Sequence, residues 1–96
     1  MRSDDYVVIA LERAGNKPLN ELVRDIGSQL ELLPPGRLTS HKVAPLRGAV
    51  KGYTTFYDQN PKYKSETLPE LRIRDKETFE LFTWFMTICM DVGVKF

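Results

Sequence analysis

Residues 75–91, DKETFELFTWFMTICMD, decide the fold that this sequence predicts. Because almost every turn of this stretch is apolar on more than one face, we expect one helix that other elements or a partner enclose. Truncating either Phe82 or Trp84 to alanine is expected to cost about 3–5 kcal/mol, as for large aromatic side chains in a core. The apolar side chains of this helix are Phe79, Leu81, Phe82, Trp84, Phe85, Met86, Ile88, Cys89 and Met90.

The ends of this helix carry recognisable signals. Asp75 is a typical N-cap residue, and Gly93 is a typical residue just past a helix C-terminus, where it lets Phe96 fold back onto the core. The uninterrupted apolar run 81–90 is far shorter than the roughly 20 residues that a bilayer crossing needs. We therefore expect a core helix and no membrane span.

The composition bounds the class of protein. A length of 96 residues, with 42% hydrophobic and 28% charged side chains, is typical of one folded domain, which we assign to residues 1–96. A single cysteine excludes an internal disulfide, and the N-terminal residues do not resemble a secretory or transit signal. The expected location is cytoplasmic.

The charge is unevenly distributed along the chain. The formal net charge is +1 overall, but residues 1–35 sum to −2, residues 36–64 to +5 and residues 65–96 to −2. A basic centre between mildly acidic flanks suggests an anionic partner.

Two helices are predicted before the centre. Residues 6–14 favour a short helix, although the β-branched cluster at 7–9 would also suit a buried strand. Pro18 is well placed in the first turn of a second helix. The apolar positions of that helix follow the spacing of a single helical face: Leu19, Leu22, Val23, Ile26, Leu30 and Leu33.

The middle of the chain predicts a β-hairpin. Prolines and glycines make residues 34–44 extended or irregular, and a short helical turn from Pro45 is expected to end at Gly52. Residues 53–57 are strand formers, and residues 71–74 alternate apolar with basic side chains. We expect these two segments to pair across a long loop, 58–69. The predicted fold class is therefore α+β, with two N-terminal helices, a two-stranded hairpin and an apolar C-terminal core helix.

Groups for catalysis are scarce. Cys89 is expected to be a small buried hydrophobe, and His41 to lie in a polar loop, where its functional role would be a contact to phosphate or an acidic group. A structural zinc site needs about four Cys or His ligands, and no phosphate-binding glycine motif is present. We predict no enzyme, no metal and no cofactor, and a small enzyme ranks third among the function classes.

Basic and aromatic residues interleave in the central segment. Cations neutralise phosphates, and exposed aromatic faces stack on unpaired bases, so this pattern suits an acidic protein surface or a nucleic acid. The alternative is that the aromatic residues are core and that the lysines only solubilise a loop. The predicted partner-binding residues are Arg37, His41, Lys42, Arg47, Lys51, Tyr57, Lys62, Tyr63 and Lys64.

One short segment resembles a known motif. Residues 17–27, KPLNELVRDIG, are similar to the second helix of helix-turn-helix domains, and a hairpin after them would be the wing of a winged helix. However, Pro34, Pro35 and Gly36 occupy the positions where the recognition helix would begin. We therefore predict a non-catalytic adaptor or modulator that docks on a larger protein or nucleoprotein assembly. The alternative is a direct nucleic-acid-binding protein of winged-helix type.

Overall fold

The computed structural model describes residues 3–38, 41 and 43–96, and within these residues the chain is helical and forms no β-strand. The expected α+β fold is therefore wrong, and the protein is a small all-helical domain. The helices are α1 (Ser3–Ala14), α2 (Leu19–Glu31), α3 (Pro35–Leu38), α4 (Val43–Gln59), α5 (Leu68–Arg74) and α6 (Lys76–Asp91), with a 3₁₀ turn at Pro61–Tyr63.

The two N-terminal helices lie where the sequence predicts them, except that α1 begins at Ser3 and α2 ends at Glu31, before Leu33. Gly15, with φ of +53°, follows α1 in a conformation that side chains with a Cβ rarely adopt. Pro18 precedes the first residue of α2, which buries one apolar stripe in the core. The buried residues of α2 are Leu19, Leu22, Val23, Ile26 and Leu30.

The proline-marked segment after α2 is more helical than predicted. Pro35 begins the short helix α3, and α4 begins at Val43 and continues past Gly52 to Gln59. Pro45 fits because it is the third residue of α4, within the first turn, where backbone N–H groups have no partner inside the helix. The predicted stop at Gly52 is wrong.

The first predicted strand, residues 53–57, is part of α4. Its tyrosines belong to an apolar series at spacings of three and four residues, which is the period of a helix. This series packs against α2 and α6, so tertiary burial outweighs the strand preference of the individual residues. The series is Val43, Leu46, Val50, Tyr53 and Tyr57.

The second predicted strand, residues 71–74, belongs to α5. The Glu70 carboxylate accepts hydrogen bonds from the backbone N–H and the hydroxyl of Thr67, which fixes the start of this helix. Leu71 is fully buried, whereas Ile73 is 88% exposed. The segment whose alternation predicts a strand is thus part of a short helix with one buried side.

Helix α6 has the predicted ends. Asp75 accepts hydrogen bonds from the backbone N–H of Thr78 at 3.2 Å and from its hydroxyl at 2.6 Å, and these bonds lower the pKa of Asp75. Gly93 has φ of +102° after the helix, and Phe96 packs against the core. None of the described helices has the length and hydrophobicity that crossing a bilayer requires.

The core side of α6 carries an aromatic cluster. Phe82 is fully buried, and the Tyr53 ring contacts the Phe82 and Phe85 rings at centroid distances of 4.9 Å and 5.3 Å. Trp84, by contrast, is 62% exposed, so its predicted core position is wrong. The reason is geometric, because two residues along a helix correspond to a rotation of about 200°.

A partly buried ion pair joins α5 to the loop before it. Glu66 is only 7% exposed, and its carboxylate accepts hydrogen bonds from Nε of Arg74 at 2.6 Å and from Nη2 at 2.9 Å. The backbone carbonyl of Glu66 accepts a further bond from the N–H of Leu19 at 2.8 Å. This loop therefore connects the start of α2 to the end of α5.

The contrast between the two sides of α6 gives a stability test. We expect Phe82→Ala to lower the free energy of unfolding by about 3–5 kcal/mol, because it leaves a cavity in the core. Trp84→Ala is expected to change it by less than about 1 kcal/mol, since the side chain is mostly in water. Urea denaturation followed by circular dichroism measures both values, and comparable losses for the two variants would contradict the exposed position of Trp84.

The close approach of α2 and α4 gives a second test. A Cβ atom on Gly27 would lie 3.0 Å from Cγ1 of Val50, whereas a Cβ atom on Gly48 would meet no neighbour within 4 Å. We expect Gly48→Ala to stabilise the protein by about 0.5–1 kcal/mol through helix propensity. Gly27→Ala should lose that gain to steric repulsion in the parent protein and show it in a Val50→Ala background, where the double variant is compared with Val50→Ala alone. Equal stabilisation by the two single variants, measured by urea titration, would show that the approach is not tight.

Candidate protein-docking surface

One surface of the molecule is an apolar face formed by α1 and α6. We call it the Trp84 face. It surrounds a shallow depression of about 590 Å³ and continues one helical turn back along α6 to Leu81, which is 63% exposed. Ile9 and Arg13 of α1 line the depression together with Trp84, Thr87, Ile88, Met90 and Asp91 of α6.

The sequence of α6 produces this face because the helix carries two apolar stripes. Phe82, Met86 and Cys89 point into the core and are fully buried. Leu81, Trp84 and Ile88 repeat at spacings of three and four residues on the other side of the helix. The expectation that neighbouring elements or a partner enclose α6 is therefore met within the chain on one side only.

Helix α1 forms the second wall of the depression. Its small residues Ala10 and Ala14 are buried in the core, and α1 packs directly against α6. Ile9 and Arg13, which are one turn apart, lie beside Trp84 in the depression. The face is thus a groove between two helices with a large aromatic side chain at its centre.

The charges around this face are arranged in two groups. Glu77 and Glu80 lie on α6 in the two turns before Trp84, and both are exposed. Arg13 of α1 and Asp91 of α6 both line the depression. Within the described part of the chain, no ion pair involves Glu77, Glu80 or Arg13.

The predicted partner-binding residues that the structure describes are spread along α4 and the segments on either side of it. His41 is exposed in the turn before α4, and Arg47 and Lys51 are exposed on α4. Arg37 belongs to α3, and its side chain, like the whole of Lys42, lies outside the described residues. Because α4 has 17 residues, about 25 Å of helix separates its start from the 3₁₀ turn that carries Lys62 and Tyr63 and precedes Lys64.

Two of the predicted contacts are already used inside the protein. Nη2 of Arg47 donates a hydrogen bond to Oε1 of Glu31 at 3.1 Å, so α2 neutralises part of the central positive charge. Tyr57 is 2% exposed, and burial, together with the negative charge of Glu66, raises its pKa to about 12. The interpretation that the central aromatic residues belong to the core thus holds for Tyr57.

The ring of Tyr63 lies in a stack. The Arg74 guanidinium carbon is 4.1 Å from its centroid, the parallel Phe56 ring is 6.0 Å away, and Nζ of Lys62 is 5.0 Å away. Lys64 is exposed beyond this stack. Tyr63 is therefore engaged with its own chain.

A second groove lies between α4 and the α5–α6 corner and has a volume of about 430 Å³. The Arg74 guanidinium at its edge is paired with Glu66, and the Asp75 carboxylate caps α6. Burial raises the pKa of Tyr53, so its hydroxyl stays neutral at physiological pH. The groove is lined by Ala49, Gly52, Tyr53, Phe56, Tyr57, Arg74, Asp75 and Thr78.

Cys89 and His41 are the two residues that the sequence offers for nucleophilic or acid–base chemistry. Cys89 is fully buried, and burial raises the pKa of its thiol to about 12. His41 is exposed. Among residues 3–38, 41 and 43–96, no three His, Cys, Asp or Glu side chains are grouped so that they would hold a metal ion.

The burial of Cys89 predicts its reactivity. A thiol-reactive probe at pH 8 should label Cys89 slowly in the native protein and rapidly in urea, because the native thiol is both inaccessible and protonated. The pKa of the native Cys89 thiol is above the ordinary value of about 8.5, so the unfolded chain loses this proton at lower pH than the native protein does. The thiol's contribution to the free energy of unfolding is therefore complete below pH 8.5 and declines as the pH rises toward 12. Equal labelling rates in buffer and urea would contradict this assignment.

Comparison with known proteins adds no relative to these observations. No protein-family model matches the sequence, and neither a curated protein nor a solved structure matches the chain. The candidate function therefore rests on the geometry and chemistry of the residues themselves.

Proposed function

We propose that this chain is a non-catalytic accessory protein that docks on a larger protein through the Trp84 face. The observation that carries the proposal is the exposure of Trp84 and Leu81 on the outer side of the most apolar helix. Exposed apolar side chains that form a continuous patch mark interaction sites more often than isolated ones do. The adaptor function predicted from the sequence is retained, and its principal surface moves from the central segment to α1 and α6.

The energetics of tryptophan support this surface as the anchor. A tryptophan side chain buries about 150–250 Å² when it is fully covered. At about 25 cal/mol per Å², covering the exposed 62% of Trp84 is worth about 2–4 kcal/mol. Tryptophan is also enriched among the few residues that dominate the energy of protein interfaces. Trp84 is thus the first candidate for a hot spot.

The basic residues of the central segment remain a predicted secondary contact. Lys51, Lys62 and Lys64 are exposed, and none of them forms an ion pair among the described residues. They suit an acidic region of the same partner, where they would mainly accelerate association. A winged-helix interface would need a β-hairpin, which the described chain lacks. Direct binding of nucleic acid is therefore an outcome of the test and not the proposal.

Site-specific crosslinking tests the docking face. A photo-crosslinking amino acid is placed at Thr87, which lines the Trp84 face, and, as a matched control, at the exposed Thr55 of α4. We expect one protein to crosslink to position 87 in cells. The same crosslink should not form from position 55, and it should disappear from position 87 when Trp84→Ala is added. Nuclease treatment before irradiation should not change the result.

The captured protein must then bind in isolation. We expect the purified partner to bind the chain at least tenfold more tightly than it binds Trp84→Ala, because a hot-spot residue contributes more than about 1.4 kcal/mol. Circular dichroism verifies that the variant is folded. Crosslinks from position 55 alone would favour the central basic segment, and their loss after nuclease treatment would favour nucleic acid.

A further inference from the structure

The Trp84 face has a charge pattern that restricts what it can bind. Glu77 and Glu80 flank the apolar stripe at its N-terminal end, where no described cation is paired with them. Burying an apolar stripe also desolvates the charges beside it, and a carboxylate that loses water without gaining a cation is costly. A stable partner must therefore supply positive charge at this end.

Anionic surfaces do not meet this requirement. Phosphates of a nucleic acid or of acidic lipids would approach Glu77 and Glu80 with the same sign of charge, which opposes association. Among the described residues, Arg13 is the one cation that lines the depression, together with Trp84 and Ile88. The partner of this face is accordingly a protein.

A second copy of this chain is also a poor fit. A parallel pairing of two α6 helices would place Glu77 and Glu80 next to their own copies. An antiparallel pairing centred on Trp84 would place Glu80 against Ile88 of the other copy, because these residues are four positions before and after Trp84. The first arrangement brings like charges together, and the second buries a carboxylate against an apolar side chain.

A helix from another protein fits the shape of the face. The depression is bounded by α1 on one side and α6 on the other, and a third helix packs naturally into such a groove. From Glu77 to Ile88 the stripe covers 12 residues of helix, and the 11 rises between them span about 17 Å. Three turns of a partner helix are enough to cover it.

Resting on the proposed docking function, we infer that the partner presents an amphipathic helix with three apolar side chains followed by two cations. In the antiparallel orientation its apolar residues at i, i+4 and i+7 oppose Ile88, Trp84 and Leu81. Lys or Arg at i+8 and i+11 then oppose Glu80 and Glu77. The reversed sequence gives the same contacts in the parallel orientation.

Trp84 itself supplies the signal for the test. It is the only tryptophan of the chain, so its emission reports on this face alone. The probes are two helical peptides without tryptophan, one in each orientation, with leucines at the apolar positions and lysines at the two cationic positions. The control peptides carry glutamate in place of lysine.

We expect one of the lysine peptides to shift the emission of Trp84 to shorter wavelength in a saturable titration. The matching glutamate peptide should bind about tenfold more weakly at low salt, because two attractions become two repulsions. Near 1 M salt, where the screening length is about 3 Å, the difference should largely disappear.

Matched charge reversals locate the effect on the face. Glu77→Lys should weaken the lysine peptide about threefold and strengthen the glutamate peptide. Glu21→Lys makes the same change at an exposed glutamate in the first turn of α2 and should leave the preference unchanged. Equal sensitivity to the two substitutions would overturn the assignment of the cations to Glu77.

The remaining outcomes separate this inference from the docking function. Equal binding of lysine and glutamate peptides, or no binding of either, would overturn the amphipathic basic helix, whereas crosslinking from position 87 would still support docking. A concentration-dependent emission shift without peptide, together with a dimer in sedimentation, would overturn it in favour of a second copy. Peptide binding without any cellular crosslink would leave the charge preference intact and contradict the docking function.

Discussion

The ion pair between Glu66 and Arg74 constrains the arrangement of the helices around the loop before α5. A carboxylate that is almost fully buried is tolerated only when a cation and hydrogen bonds compensate for its lost hydration. The Arg74 side chain provides both, and in doing so it holds the end of α5 against the loop that precedes it. The backbone carbonyl of Glu66 also accepts a hydrogen bond from the N–H of Leu19, so this one residue contacts both the start of α2 and the end of α5.

The sequence predicts the elements whose period is unambiguous and fails where local preference and long-range packing disagree. Helices α1, α2 and α6 follow from apolar spacing, and α6 follows also from its end residues Asp75 and Gly93. In α4 the sequence around Tyr53 predicts a strand. The helical, heptad-like apolar series that begins at Val43 is harder to recognise, because two glycines interrupt it. In α5 the capping pair of Thr67 and Glu70 indicates the start of a helix. Leu71 and Ile73 indicate a strand instead, because they alternate with basic residues.

The docking face was only partly predictable, for a related reason. The amount of apolar surface on α6 was clear from the sequence, and so was the need to cover it. Tertiary packing determines which side of α6 the other helices cover. The sequence does not show that packing. The sequence alone therefore predicts a core position for Trp84, which is 62% exposed in the structure. The central basic residues were visible as a cluster in sequence, yet α4 disperses them along its length and Glu31 neutralises Arg47.

The glycine at the crossing of α2 and α4 has a consequence for how the protein folds. Gly27 weakens α2 as an isolated helix, because glycine loses more backbone entropy on ordering than other residues do. Gly27 compensates for this loss by allowing Val50 to approach closely, and this approach exists only after α4 has formed beside α2. Order in the N-terminal half is therefore conditional on order in the middle of the chain, so a single cooperative transition is expected, without a persistent helical fragment.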